Sequence, residues 1–239
     1  SRTVLEVRDQ LLRQLLETHI NVRFLERVAA EHAKGRTLWI GTTNLDAQRP
    51  VVWDMGKIAA SGRSDAPELF RSIMLASAAI GGVFPPVYMQ VEVAGEVYDE
   101  MHVDGGTANQ VFLYPAALDI AAMAADIGVV RNRRAYIVRN ARLAPQWQAV
   151  PPRLARIAGR SISTLIRTQG LGDIYRIYSS ASRDGIDFNL AYITPDFTAE
   201  PDTEFDPAYM RVLFDYAYAE AKGGYPWVKT PHELGPSSN

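Results

Sequence analysis

The sequence predicts an α/β fold in which a layered sheet carries helices on both of its faces. Amphipathic helical segments alternate with short strand-like segments along the chain, a pattern typical of this class. The strand-like segment at residues 37–43, Thr-Leu-Trp-Ile-Gly-Thr-Thr, is almost continuously apolar. Such a run favours a strand that is buried on both sides. The chain has 239 residues, of which 47% are hydrophobic and 22% charged, enough for one large domain or two small ones.

Helices are predicted where apolar residues recur every three or four positions, at about 3–18, 22–34, 66–79, 115–127, from 152 onward, and 207–222. Asn21 is expected to cap the second helix and Gly35 to end it. Strands are predicted at 37–43, 51–53, 87–93, 96–103, 134–139 and 185–193. Ala94-Gly95 is the predicted turn of a hairpin between the third and fourth strands.

The composition excludes several classes of protein. The chain has no cysteine, which removes disulfides, thiolate catalysis and cysteine-ligated zinc. A formal net charge of −2 argues against a general nucleic-acid binder, since such proteins are usually basic. No run of about 18 apolar residues is present that would span a membrane. The first residues have no signal-peptide pattern, and the sequence leaves the compartment unassigned.

The segment Asp104-Gly105-Gly106 is the strongest candidate site. It directly follows a predicted strand, and a carboxylate at a strand end projects into the crevice where α/β folds bind ligands. The two glycines let a substrate or another loop approach the backbone closely. Both properties suit a general base. The alternative is that Asp104 only caps a turn, because Asp-Gly is a common turn dipeptide.

Four segments resemble the patatin-like acyl hydrolases in order and in rough spacing. They are Gly41–Asp46, Val52–Gly56, Ala76–Ile80 with Phe84–Pro86, and Tyr98–Gly106. A fifth, Tyr225–Trp227 with Thr230-Pro231, resembles the tail of a bacterial subgroup. The resemblance is best over residues 35–115 and looser elsewhere. Gly81 departs from it, because the family usually has proline there.

The resemblance implies hydrolysis of acyl esters, with lipids as the expected substrates, by a Ser–Asp dyad that needs no cofactor or metal. In that scheme Asp104 is the general base, Gly105 and Gly106 form its supporting loop, and Ser77, Phe84 and Pro86 shape the pocket wall. Residues 1–239 would then be the C-terminal portion of a single patatin-like domain whose N-terminal part is missing.

The nucleophile of such an enzyme is not found in the sequence. The family places its serine on a G-x-S-x-G turn between a strand and a helix, and no such motif occurs here. Ser64 and Ser161 each follow a G-x pair, but the first is in a predicted loop and the second in a predicted helix. We therefore expect the serine and the oxyanion hole to lie outside this chain, which alone is predicted to be inactive. Trp39, Ile40 and Val52 are expected to face the missing part.

Three other hypotheses remain open. Glu100, His102 and Asp104 share one face of a strand and are residue types that bind metals, as in a metal-dependent hydrolase. His232 is the one late histidine for a Ser-His-Asp triad. Finally, nine arginines and no acidic residue lie between Ile127 and Gly172, whereas seven acidic residues and no Lys or Arg lie between Asp184 and Asp206. These segments either attract each other or make the chain a module that docks on an anionic membrane surface.

Overall fold

A computed structural model describes residues 4–80, 84–113, 132–145, 147–203 and 205–231. The chain is mixed α/β and divides into two compact units, residues 1–110 (unit 1) and 111–239 (unit 2). The prediction of a single domain over the whole chain stays a prediction. In the described part, no helix has the length and apolar character needed to cross a membrane.

Unit 1 contains a four-stranded antiparallel sheet with the order β2-β1-β4-β3. Its strands are β1 (Trp39–Asn44), β2 (Arg49–Asp54), β3 (Val87–Val93) and β4 (Glu96–Asp104). Pro50 lies in β2, an edge strand, where its missing N–H is tolerated. β3 and β4 form the predicted hairpin, and Ala94 (φ 54°) and Gly95 (φ 86°) supply the two positive φ angles of a tight turn.

Four helices pack against one face of this sheet. They are α1 (Val4–His19), α2 (Val22–Ala33), α3 (Met55–Ala60) and α4 (Ala66–Ser77). Their apolar side chains share a core with strand residues of a single face, namely Ile40, Trp53, Val87 and Met89. On the opposite face Trp39, Val52, Tyr88 and Val97 are exposed. The predicted helices on both faces are therefore not found within the described part of unit 1.

The burial of β1 is the reverse of what the sequence predicted. Its apolar first half is open to solvent, with Trp39 exposed and Ile40 half-buried, whereas Thr42, Thr43 and Asn44 are buried. The pairing of β1 with β4 ends at Thr42–Asp104, so Trp39–Gly41 extend beyond the paired region. On that side no described strand pairs with these three residues. They form an open edge, and it contains Trp39 and Ile40, two of the three residues that were expected to face a missing part.

Unit 2 contains two parallel strands, β5 (Arg134–Arg142) and β6 (Asp187–Ile193). The 30-residue helix α5 (Leu154–Arg183) connects them, and α6 (Pro207–Lys222) follows β6. Only the second half of α5 joins the core, where Ile174, Ile177 and Ala181 pack on Phe188 and Leu190. The predicted helix at 115–127 lies outside the described residues, as do Gly81 and His232.

A buried cation lies beside this core. Arg139 in β5 is 9% exposed, and its guanidinium lies against Gly170 of α5, where a side chain would leave no room. Its Nε has no hydrogen-bond acceptor among the described residues. Burial lowers the pKa of Arg139, and the negative charge of the buried Asp173 opposes that lowering. Asp173 also forms an ion pair with Arg176 at 3.3 Å.

Candidate functional site

Asp104 is the last residue of β4 and the N-cap of a short 3₁₀ turn, Gly105–Thr107. One carboxylate oxygen, Oδ1, accepts a hydrogen bond from the Gly106 N–H at 2.6 Å. In the described part of the chain, no residue donates to the other oxygen, Oδ2. Burial raises the pKa of Asp104, and the Gly106 N–H works against that rise because it stabilises the carboxylate. The side chain thus caps a turn and still has an oxygen able to accept a proton.

Backbone contacts hold this residue in place on two sides. Its N–H donates to the carbonyl of Ala79, just beyond the end of α4, at 3.1 Å. Its own carbonyl accepts from the hydroxyl of Thr43 in β1 at 3.0 Å. Asp104 is therefore positioned by α4 as well as by the sheet, which is the rigid support that a general base requires.

The two glycines are required by close packing. A Cβ on Gly105 would lie 2.6 Å from the carbonyl oxygen of Gly41, a backbone atom that cannot rotate away. A Cβ on Gly106 would lie 2.9 Å from Oδ1 of Asp104. The first glycine lets the turn pack against the open edge of β1, and the second lets its N–H reach the carboxylate. The predicted role of both glycines as a supporting loop fits this geometry.

A buried polar network lies next to Asp104 on the same face of the sheet. We use this name for Thr42, Trp53, Glu100 and His102. The Trp53 indole N–H donates to the Thr42 hydroxyl at 2.8 Å, and that oxygen lies 3.0 Å from Nδ1 of His102. On the other side of the ring, Nε2 lies 3.3 Å from Oε2 of Glu100. Thr42 and His102 are fully buried.

The donors and acceptors of this network fit a His102 ring that carries a proton on Nε2, facing Glu100. An indole nitrogen only donates, so the Thr42 oxygen accepts from Trp53 and has its own hydrogen left to give. That hydrogen goes to Nδ1, which leaves the ring proton on Nε2, facing the Glu100 carboxylate. The opposite tautomer would place a lone pair against that carboxylate. Thr42 and His102 belong to strands paired at Thr42–Asp104, so the network fixes the register that sets the position of Asp104.

The residues predicted for the pocket wall are placed differently from one another. Ser77 lines an open hollow of about 340 Å³ together with Met74 of α4, Ala78 just after that helix, and the open edge of β1. Phe84 and Pro86 are half-buried and are not among the described residues that line it. Gly41 borders the hollow and also touches Gly105, so the hollow adjoins the Asp104 turn.

Neither serine that follows a G-x pair occupies a nucleophile turn. Ser64 is exposed in the turn between α3 and α4, and Ser161 is exposed within α5. As predicted, neither follows a strand. The metal hypothesis also lacks a site: Glu100, His102 and Asp104 do share one face, yet no three potential ligands among the described residues come together to hold a metal ion. His102 instead makes hydrogen bonds with both ring nitrogens.

Sequence reasoning overlooked Thr42 and Trp53. His102, one of the three candidate metal ligands, is wholly buried. The sequence does place Thr42 with Ile40 on one face of β1, and the Glu100-x-His102-x-Asp104 spacing places those three residues on one face of β4. Which residues of the two strands lie side by side depends on the strand register, and the sequence does not give that register. Comparisons with known proteins add no assignment, because no protein-family model and no curated protein matches this chain.

Proposed function

We propose that this chain supplies the catalytic aspartate of a patatin-like serine acyl hydrolase that acts on lipid or other acyl esters. The observation that carries the proposal is the Asp104 carboxylate. One oxygen is held by the Gly106 N–H, the other is open, and burial raises the pKa of the group toward the range useful for a base. Three of the four sequence segments that resemble the family meet here: Asp104 belongs to one, and its backbone is hydrogen-bonded to Thr43 and Ala79 of two others. Patatin-like layering of the complete domain belongs to the same proposal.

In the proposed reaction a serine from outside these 239 residues lies within hydrogen-bond reach of Oδ2. Asp104 takes the hydroxyl proton as the serine oxygen bonds to the ester carbonyl carbon. The C–O bond to the alcohol then breaks, and Asp104 returns the proton to the leaving alkoxide, which leaves an acyl-enzyme. Water attacks this ester with Asp104 again as base, releasing the carboxylic acid and the free serine. No cofactor enters the scheme.

The segment bearing the serine is proposed to dock at the open edge of β1. Trp39–Gly41 lack a described strand partner there, and this edge borders both the hollow and the Asp104 turn. A strand added there parallel to β1 would have its carboxyl end at the Asp104 turn. The exposure of Trp39 and Val52 is consistent with a covering segment that this chain does not contain.

The test is Asp104→Asn in the intact protein that carries the serine, with Asp99→Asn as the matched control. Asp99 is an exposed carboxylate of the same strand. Asn still accepts from Gly106 but cannot take a proton, so we expect ester turnover to fall by at least about 10²-fold. The control should retain full turnover. Because only the ionised base is active, activity should rise with pH through the raised pKa of Asp104.

Two results would contradict the proposal. Turnover by Asp104→Asn close to that of the wild type would exclude Asp104 as the base. Labelling of the isolated 239-residue chain by a fluorophosphonate at Ser64 or Ser161, with ester turnover, would place the nucleophile within this chain. Equal losses in the Asp104 and Asp99 variants would point to a general effect of charge.

A further inference from the structure

The first half of α5, residues 154–167, is exposed although it is rich in apolar residues. Leu154 is 85% exposed, Leu165 is 68% exposed and Ile162 is 57% exposed. In the second half of the same helix, from Gly170 onward, the side of the helix that faces the core is buried. We call residues 154–167 the exposed half of α5. Its apolar side chains are not part of the core formed by the described residues of unit 2.

Helix geometry explains why the exposed half is not buried with the rest. Each residue turns the helix by roughly 100°. Leu154, Ala158, Ile162 and Leu165 then fall within one sector of roughly 80°. The core-facing residues of the second half, Gly170, Ile174, Ile177 and Ala181, define a sector that points more than roughly 120° away. The apolar stripe of the exposed half is thus a separate surface.

The opposite side of the exposed half is strongly basic. Arg153, Arg156, Arg160 and Arg167 fall within roughly 60° of one another around the axis. The helix has no acidic residue before Asp173. Among the described ion pairs, the acidic segment 184–206 uses Arg142, Arg183 and Lys229, whereas Arg153 and Arg156 form none. Among the described residues, the charges of Arg153 and Arg156 are therefore not paired with the acidic segment.

An exposed tryptophan lies on the chain just before this helix. Trp147 is 92% exposed, and its neighbour Gln148 accepts a hydrogen bond from Arg160 at 3.4 Å, which ties this segment to the exposed half. Tryptophan is enriched at membrane interfaces because its ring is apolar and its N–H is polar.

We propose that the exposed half of α5, with Trp147, is a docking surface for an anionic lipid bilayer. A helix with an apolar stripe, an arginine-rich polar face and a nearby tryptophan has the features of a segment that lies in the plane of the interface. The excess of arginine over acidic residues selects anionic headgroups over neutral ones. This inference does not depend on the acyl hydrolase proposal, since it concerns a different surface and needs no catalysis.

The test is co-sedimentation of the 239-residue chain with vesicles of phosphatidylcholine, alone or mixed with phosphatidylglycerol. We expect binding to the mixed vesicles that weakens at high salt, because the attraction is partly electrostatic. Arg153→Ser with Arg156→Ser should reduce the partition coefficient by about fivefold per arginine. Ile162→Ser with Leu165→Ser should reduce it by at least about tenfold. All four residues are exposed, so folding should be unchanged by circular dichroism.

The matched control is Val212→Ser with Phe214→Ser on α6. These residues are 51% and 60% exposed, on a helix that carries Asp215 and Glu220 and so lacks the basic face. This variant should bind as the wild type does. The proposal is overturned if the wild type does not bind mixed vesicles, or if the control weakens binding as much as the α5 pairs do. A dimer in light scattering that only Ile162→Ser with Leu165→Ser dissolves would instead assign the surface to a second copy of the chain.

Discussion

A buried polar residue of unit 1 and one of unit 2 differ in how well their hydrogen-bonding groups are satisfied. His102 of unit 1 is fully buried with both ring nitrogens hydrogen-bonded, whereas Arg139 of unit 2 is buried with an Nε that has no described acceptor. A satisfied buried network specifies one arrangement, while a buried donor without an acceptor costs stability. The comparison teaches that unit 1 uses buried polarity to fix the strand register beside Asp104. The buried charge of unit 2 has no comparable structural use.

The largest effect is expected from Gly105→Val, which tests how tightly unit 1 is built around Asp104. The new Cβ would meet the carbonyl oxygen and the carbonyl carbon of Gly41, and both of these are backbone atoms. We expect a loss of about 3–4 kcal/mol in the free energy of unfolding, measured by urea titration with the tryptophan emission of Trp39 and Trp53. Gly159→Ala in unit 2 is the control: it has open space and a helical position, so it should stabilise by about 0.5–1 kcal/mol. Equal stability of Gly105→Val and wild type would show that the turn does not pack as described.

A smaller effect is expected from His102→Ala, which breaks the satisfied network. It leaves a cavity and removes the partner of both Thr42 and Glu100, so the free energy of unfolding should fall by about 2–3 kcal/mol. His19→Ala, on an exposed histidine, should lie within about 0.5 kcal/mol of wild type. Chemical denaturation of both variants checks this. Similar small effects for the two histidines would mean that the network adds no stability to unit 1.

The smallest effect is expected from Arg139→Met, which removes the less satisfied buried group. The change deletes a donor without an acceptor and keeps the aliphatic stem, while Asp173 retains its ion pair with Arg176. We expect a change within about 1 kcal/mol in the free energy of unfolding, monitored by Trp147 and Trp227 fluorescence. A loss larger than that of His102→Ala would reverse the comparison and give Arg139 a structural role.

Local patterns predicted most of the elements. The β3–β4 hairpin and α6 were placed at their observed positions, and Asn21 caps α2 as expected, accepting from the Phe24 N–H at 3.2 Å. These features depend on neighbours in sequence. Helix α3 was missed because it has only six residues and contains Gly56, and glycine has a low helix propensity. In the structure Asp54 caps it, and Gly56 is needed because a Cβ would collide with His32.

The misjudged features depend on contacts between distant residues. The sequence predicts where Asp104 lies on β4, but the antiparallel pairing of Thr42 with Asp104 decides what surrounds it. The same pairing buries the polar half of β1 and leaves Trp39 exposed, against the apolar pattern. Hydrophobicity along one strand does not indicate which of its ends another strand covers. Whether Ser77 lines a hollow, and whether the arginines pair with the acidic segment, also depends on contacts between distant residues and could not be decided from local sequence.

The open edge of β1 also has a practical consequence for work with the isolated chain. The stretch Trp39–Gly41, which includes an exposed tryptophan, pairs with β2 but has no described strand on its other side, so a second molecule can add a strand there. Such growth is not limited to dimers, because a strand added to an edge presents a new edge. Concentrated samples should therefore be checked for slow formation of soluble oligomers, and Trp39→Lys is the substitution of choice for keeping the chain in solution.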